Sequence, residues 1–292
     1  MGADVIVPAQ QSSRAVSTHE VTLPNRPECY LCGGEVFHLV EGVADRYDIS
    51  ICRKCGLGKT EGFELRAAPP SDAVKPGGTY RRDLCAMSKR RGELAGATAK
   101  RIQHLAGSGC ILDIGCSGGR LVREVSNRGV TAYGIDVEIE PLVLAGKSGV
   151  KDLAAGDAHA LPFGDGSFDL VHLSHTLEHL MDPGAVLSEA YRVLKPEGLL
   201  MASVPNHTGM LPRITRNWVG YAPWMHVWHF SPDSLVTLLR KARFRPLKLT
   251  RCNMETPEIE SRWKKFAWIC LAAIQKHIGM GDSMSILAKR TQ

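Results

Sequence analysis

One stretch limits what this chain can fold into more than any other: Ile111-Leu112-Asp113-Ile114-Gly115-Cys116-Ser117-Gly118-Gly119-Arg120-Leu121. Its apolar start, interrupted by Asp113, reads as a buried strand. Gly115, Gly118 and Gly119 then break it into a tight loop, and Leu121 to Arg128 follows with helical spacing up to Gly129. A strand, a glycine loop and a helix in succession bring backbone close to a nucleotide-like ligand. Glycine has no Cβ to hold such a ligand away. The next strand, Ala132 to Asp136, ends in a carboxylate roughly twenty residues on, where an acid can accept bonds from ribose hydroxyls.

The spacing is not the G-x-G-x-x-G of a dinucleotide site. With Asp113 ahead of Gly115 it resembles the first motif of class I S-adenosylmethionine-dependent methyltransferases, with Ser117 where that family usually has its middle glycine. Later segments resemble the same family in the same order. They are Gly156-Asp157-Ala158, Leu161-Pro162-Phe163, the strand-like run Phe168 to Ser174, His175-Thr176-Leu177-Glu178-His179, Asp182-Pro183, and Lys195-Pro196-Glu197-Gly198 before a fifth strand at Leu199 to Val204. The resemblance spans about residues 105 to 205. It implies S-adenosylmethionine as cofactor, with Asp113, Gly115, Cys116 and Gly119 at the loop and Asp136 on the ribose. Asp157 and Ala158 would meet the adenine, and Ser174 would lie at the strand end facing the cofactor sulfur. It also implies an α/β fold, a Rossmann-like doubly wound sheet of seven strands, mostly parallel with the last antiparallel. The alternation of strand and helix argues independently for a parallel sheet with its ligand past the strand C-termini.

Cys29-Tyr-Leu-Cys32 and Cys52-Arg-Lys-Cys55 are two C-x-x-C knuckles, each followed by glycine, with two short strand-like segments between them. Four thiolates at this spacing predict a closed tetrahedral zinc site, structural in role because no coordination position is left for chemistry. So small a β module has little core and needs its metal. The chain then divides into a disordered tail at 1–27, the zinc-binding module at 28–62, a linker and basic lid helix at 63–104, and the methyltransferase-like domain at 105–292. Cys85, Cys110, Cys116, Cys252 and Cys270 are expected to be non-ligands.

A cluster after the fifth strand, Trp218 to Phe230, holds three of the five tryptophans together with His226 and His229. It reads either as a structural loop packed on the core or as a wall of the substrate pocket. Histidine suits proton transfer from a hydroxyl near neutral pH. His229, His226 and His175 are the candidate bases, with His179 beside them. Ser231-Pro232-Asp233 predicts a helix start. Trp263 to His277 reads as an inserted helix, apolar on one side, packed onto the core.

At 292 residues the chain can hold one large core and a small module, and no apolar run reaches the ~20 residues that cross a bilayer. A transmembrane segment is therefore not expected. Residues 1–28 lack the apolar core of a secretory signal, so a cytoplasmic protein with free thiols is expected. The net charge of +6 concentrates at 75–104 and 262–292. Such segments serve anionic partners or are solvated helix faces. Three functions stay open: methyl transfer to oxygen or nitrogen of a small polar metabolite, a sugar or a natural-product intermediate, in a monomer or homodimer; methylation of rRNA or tRNA with the ribbon reading RNA; and a non-catalytic zinc-containing adaptor.

Overall fold

The computed structural model describes residues 19–21, 28–35, 37–43, 47–62, 88–215, 218–253 and 262–292. Two sheets organise them. The larger has seven strands in the order β11-β12-β9-β8-β5-β6-β7. Its centre is β5 (Cys110–Ile114), whose last four residues are all buried, as a parallel strand covered on both faces requires. On one side β5 runs parallel to β6 (Thr131–Asp136), and β6 to β7 (Leu153–Ala155). On the other it runs parallel to β8 (Phe168–Ser174), and β8 to β9 (Leu194–Pro205). β12 (Ser283–Arg290) is antiparallel to β9 and to β11 (Phe244–Cys252). This is the seven-stranded, mostly parallel sheet expected, with its antiparallel last strand. Strand order reverses beside β5, which places the ligand crevice at the β5 and β8 C-termini.

Helices α1 (Ser88–Ala106), α2 (Arg120–Ser126), α3 (Ile139–Lys147) and α4 (Pro183–Val193) accompany these strands, and α5 (Met210–Ile214), α6 (Pro232–Lys241) and α7 (Arg262–His277) follow. Local chemistry sets several starts. Asp182 accepts the Ala185 amide ahead of Pro183, and Ser231 and Ser234 form a reciprocal capping box ahead of α6. Ala99 and Ile102 of α1 are buried with Ile111, Val122 and Val125. The N-terminal half of α1 stands beside Arg120, because a Cβ on Gly92 would lie 3.5 Å from its guanidinium. Residues 63–87, which include the first part of the expected lid segment, lie outside the described residues.

The smaller sheet has the order β1-β2-β3-β4-β10 and differs from the expected domain division. β2 (Phe37–Val43), β3 (Tyr47–Cys52) and β4 (Gly58–Thr60) belong to the cysteine module. β10 (Trp228–His229) comes from the far end of the chain and pairs antiparallel with β4, Trp228 opposite Lys59 and His229 opposite Gly58. β1 (His19–Val21) pairs with β2, although it falls in the segment expected to be disordered; the rest of 1–27 lies outside the described residues. A shared apolar cluster of Val40, Val43, Tyr47, Ile49, Leu211, Trp218 and Tyr221 seals the junction. Leu31, Phe37 and Leu57 join the main core directly. The module therefore borrows from the large domain the core that its own length cannot supply.

Helix α7 corrects another expectation. Among its described residues Trp263 is 84% exposed, Phe266 60% and Ile269 55%, so much of its apolar side is uncovered, while Leu271 packs against the core. Leu271 and Gln275 are the inward residues of its described part.

Candidate active site

The glycine loop is built as its sequence requires. Gly115 has φ +78°, and a Cβ there would come 2.5 Å from Thr176 Oγ1. Gly119 caps α2 in the left-handed region at φ +61°, and a Cβ would strike Leu153 and Val150. Ser117, in the family's glycine position, also adopts φ +47°. Its amide donates to Asp136 Oδ2 at 2.7 Å, and Asp136 Oδ1 accepts the Glu138 amide at 2.9 Å. The acid at the β6 terminus is thus tied to the loop after β5. The Gly115 and Cys116 amides both donate to the Ile135 carbonyl. Cys116 is buried against Gly134, and burial raises its thiol far above the ordinary range.

Two expected cofactor residues stand differently from one another. Asp113 is buried and accepts from His172 Nδ1 at 2.7 Å, across the β5–β8 register. Asp157 is open to solvent; the His159 amide and ring hold its carboxyl below the usual carboxylate range. Ala158 is half-buried beside it, and Ser174 is exposed at the end of β8.

The chain leaves β8 through His175, at φ +54°. Thr176 Oγ1 donates to the Ile114 carbonyl, fastening this exit to the glycine loop. The short helix Leu177–His179 follows. Glu178 is 0% exposed, and His175 Nδ1 donates to its Oε1 at 3.0 Å. Burial pushes the Glu178 carboxyl up, but the His175 bond and the nearby imidazoles outweigh it and hold the carboxyl low. His179 and His226 meet edge to face, ring centroids 4.6 Å apart. His226 is buried, which pulls its pKa down to about 4. The structure therefore brings His175, His179 and His226 around Glu178, a residue for which the sequence offered no signal beyond its place in the motif.

His229 stands apart from that group. It is 3% exposed on β10, with Nε2 2.9 Å from Thr60 Oγ1 and its ring against Tyr221. Thr60 gives its own proton to the His226 carbonyl at 2.8 Å, so His229 Nε2–H is the donor to Thr60. Burial holds its imidazole well below the ordinary range. Its neighbours are those of a residue that joins the cysteine module to the core.

In that module the Cys29 and Cys55 sulfurs lie 3.6 Å apart and those of Cys32 and Cys52 3.5 Å apart. All four come within 4.8 Å of one another. Tetrahedral zinc with Zn–S of about 2.3 Å sets its sulfurs roughly 3.8 Å apart, so the site fits the ion. Cys110, Cys116, Cys252 and Cys270 are free and outside this group; Cys85 lies outside the described residues.

Residues 112–202, which hold the loop, Asp136, His175, Glu178 and His179 but not His226, match the methyltransferase domain family. Together with the strand order, that match supports a class I S-adenosylmethionine-dependent methyltransferase domain. Among curated relatives, the ubiquinone biosynthesis O-methyltransferase of Thiobacillus denitrificans is 28% identical over 48% of this chain and 66% of its own length. The protein of the same name from Pseudomonas aeruginosa is 34% identical over 33% of this chain and 44% of its own. That from Dinoroseobacter shibae is 31% identical over 47% and 60%. The chain thus spans about half to two thirds of the length of these relatives. Two solved methyltransferases share the fold. One from Thermotoga maritima has a TM-score of 0.54 and 22% identity over 73% of this chain and 94% of its own. One from Archaeoglobus fulgidus has a TM-score of 0.53 and 23% identity over 71% and 99%. No helix among the described residues is long and apolar enough to cross a membrane.

Proposed function

We propose that this chain transfers a methyl group from S-adenosylmethionine to a hydroxyl oxygen of a small polar metabolite, a sugar or a natural-product intermediate, and that Cys29, Cys32, Cys52 and Cys55 hold a structural zinc ion. One observation carries the reading. The Asp136 carboxylate, at the strand terminus beside the glycine loop, is oriented by the Ser117 and Glu138 amides, and the histidine-rich exit of β8 is fastened to the same loop through Thr176. When bound, the cofactor supplies an electrophilic methyl group whose carbon–sulfur bond breaks as the oxygen–carbon bond forms, releasing S-adenosylhomocysteine and a proton.

The chain's own residues position the partners and take that proton. Asp136 would accept from the ribose hydroxyls, Asp157 and Ala158 would border the adenine, and Gly115 and Gly119 keep the crevice open. His175 is the best-placed proton acceptor. Its side chain is 45% exposed, and donation from Nδ1 to buried Glu178 makes Nε2 the basic nitrogen. The oxygen acceptor follows the named activity of the curated relatives, which are O-methyltransferases.

Calorimetry with S-adenosylmethionine on the full chain tests the reading. Wild type binds, and Asp136→Ala loses at least ~10-fold in affinity, because each charge-assisted ribose bond is worth ~1.5–3 kcal/mol. Equal affinity in the variant refutes the assignment. Release of S-adenosylhomocysteine with a panel of catechols, sugars and hydroxy acids then identifies the acceptor class.

A further inference from the structure

The carboxylate of Glu178 poses a problem that the methyltransferase reading leaves unsolved. The side chain is fully buried, Oε1 accepts from His175, and Oε2 has no hydrogen-bond partner among the described residues. A buried carboxylate oxygen without a donor is costly and calls for a cation or a proton donor. The side chains nearest to it are imidazoles whose tautomers are fixed by the main chain. His179 Nδ1 lies 3.1 Å from the Met225 carbonyl and His226 Nδ1 3.0 Å from the Gly220 carbonyl. A carbonyl only accepts, so both Nδ1 atoms carry the proton and both Nε2 atoms carry a lone pair. Metal-ligating histidines are held in this way, the second nitrogen donating to a backbone carbonyl. One donor atom from each of Glu178, His179 and His226 falls within 4.8 Å of the others.

We propose that Glu178, His179 and His226 bind a divalent transition-metal ion at the exit of β8, and that this ion holds and acidifies the acceptor hydroxyl. Two imidazoles and one carboxylate suit zinc, iron(II), cobalt(II) or manganese(II) better than the all-oxygen cages of calcium and magnesium. Three protein ligands leave coordination positions for a substrate oxygen, as in catalytic rather than structural sites. Glu178 and His226 are buried, His179 is half-buried, and the neighbouring His175 side chain is 45% exposed. A hydroxyl drawn to such an ion gives up its proton more readily, and His175 is placed to receive it. The cysteine module serves this site at a distance. Thr60 holds the main chain on both sides of the His226 peptide, donating to the His226 carbonyl through its hydroxyl and to the Val227 carbonyl through its amide. The Val227 amide in turn donates to the Glu178 carbonyl.

The role given to the ion rests on the methyltransferase reading; the ion site itself does not. The full chain is dialysed against cobalt(II) or zinc, and bound metal is counted per chain. Two ions are expected. With cobalt, the four-cysteine site gives strong thiolate charge-transfer absorption, and the second ion gives only weak visible bands. Glu178→Gln and His179→Ala should each lower the count from two to one and keep the thiolate signal. That retained signal shows that the module is folded, and His179 is exposed enough for its variant to stand if the other fails. A wild-type chain that takes no ion beyond the four-cysteine one from cobalt, zinc, manganese(II) or iron(II) overturns the proposal. So does a second ion retained by both variants. Calorimetry with S-adenosylmethionine on the same samples keeps the two readings apart: a chain that takes the second ion but not the cofactor keeps the metal site and loses its role in methyl transfer.

Discussion

Thr60→Val tests whether the cysteine module is a structural part of the catalytic domain. Thr60 is fully buried at the β4–β10 junction. Its hydroxyl donates to the His226 carbonyl at 2.8 Å and accepts from His229 Nε2 at 2.9 Å. Valine keeps the shape and removes both bonds. A buried imidazole N–H and a buried carbonyl then lack a partner, at about 1–3 kcal/mol each. The extra methyl group returns roughly 0.8 kcal/mol. The net loss is about 1–5 kcal/mol, in the upper part of the range for single substitutions. Thr60→Ser supplies the control, because it keeps both bonds and loses one methyl, about 1 kcal/mol. Urea unfolding followed by tryptophan fluorescence and far-UV circular dichroism gives the comparison. Valine should be the more damaging of the two, with both probes moving together, because Trp218 and Trp228 report the junction and the dichroism reports the large sheet. A Thr60→Val chain within ~0.5 kcal/mol of wild type, or serine as damaging as valine, would show that the hydroxyl is not the link described.

Two further outcomes follow from the same geometry. Gly115→Ala should abolish measurable S-adenosylmethionine binding by calorimetry and lower the melting temperature, because its Cβ would lie 2.5 Å from Thr176 Oγ1 at a left-handed φ. Removing zinc with a strong chelator, or Cys52→Ser, should lower the melting temperature of the whole chain in a single transition, since Leu31, Phe37 and Leu57 share the main core; separate transitions for module and domain would contradict this.

The β5 loop, the helix after it and the parallel pairing of the central strands were legible because their signals are local. Apolar runs, glycines and the strand-terminal Asp136 lie within a few tens of residues and report one supersecondary unit. The motif departure proved to be conformational as well as chemical: Ser117 stands in a family glycine position and keeps a positive φ. Such a backbone costs a non-glycine residue about 1–2 kcal/mol, which the surrounding contacts must offset. The β4–β10 pairing was not legible. It joins residues such as Thr60 and His229 across 169 positions, and a two-residue strand has no period to detect. That one pairing changes the reading of His229, a candidate base in the sequence whose position makes it a buried donor to Thr60. The exposure of α7 was hidden for a related reason. An apolar stripe says that a face can be covered, and not that this chain covers it.

The fused sheet also bears on what the cysteine module is for. A ribbon tethered by a linker would be free to search for nucleic acid, and the basic balance of the sequence invites that view. Here Tyr30 reaches across to the start of α4, accepting the Gly184 amide and donating to Asp182, and its ring lies 4.9 Å from that of Trp228. Trp228 Nε1 donates to the Leu180 carbonyl, one residue past His179. The first knuckle thus holds the far end of the loop whose near end Thr176 fastens to the cofactor crevice. His207 Nε2 donates to the Gly56 carbonyl in the second knuckle, and Ser231 Oγ reaches the Cys55 carbonyl. Each knuckle is therefore bonded to a segment that follows a sheet strand at its C-terminal edge. Thiolate-bound zinc is a rigid cross-link that does not depend on a large core. A zinc ion held as proposed by the four cysteines would fix the histidine-bearing loops relative to the glycine loop.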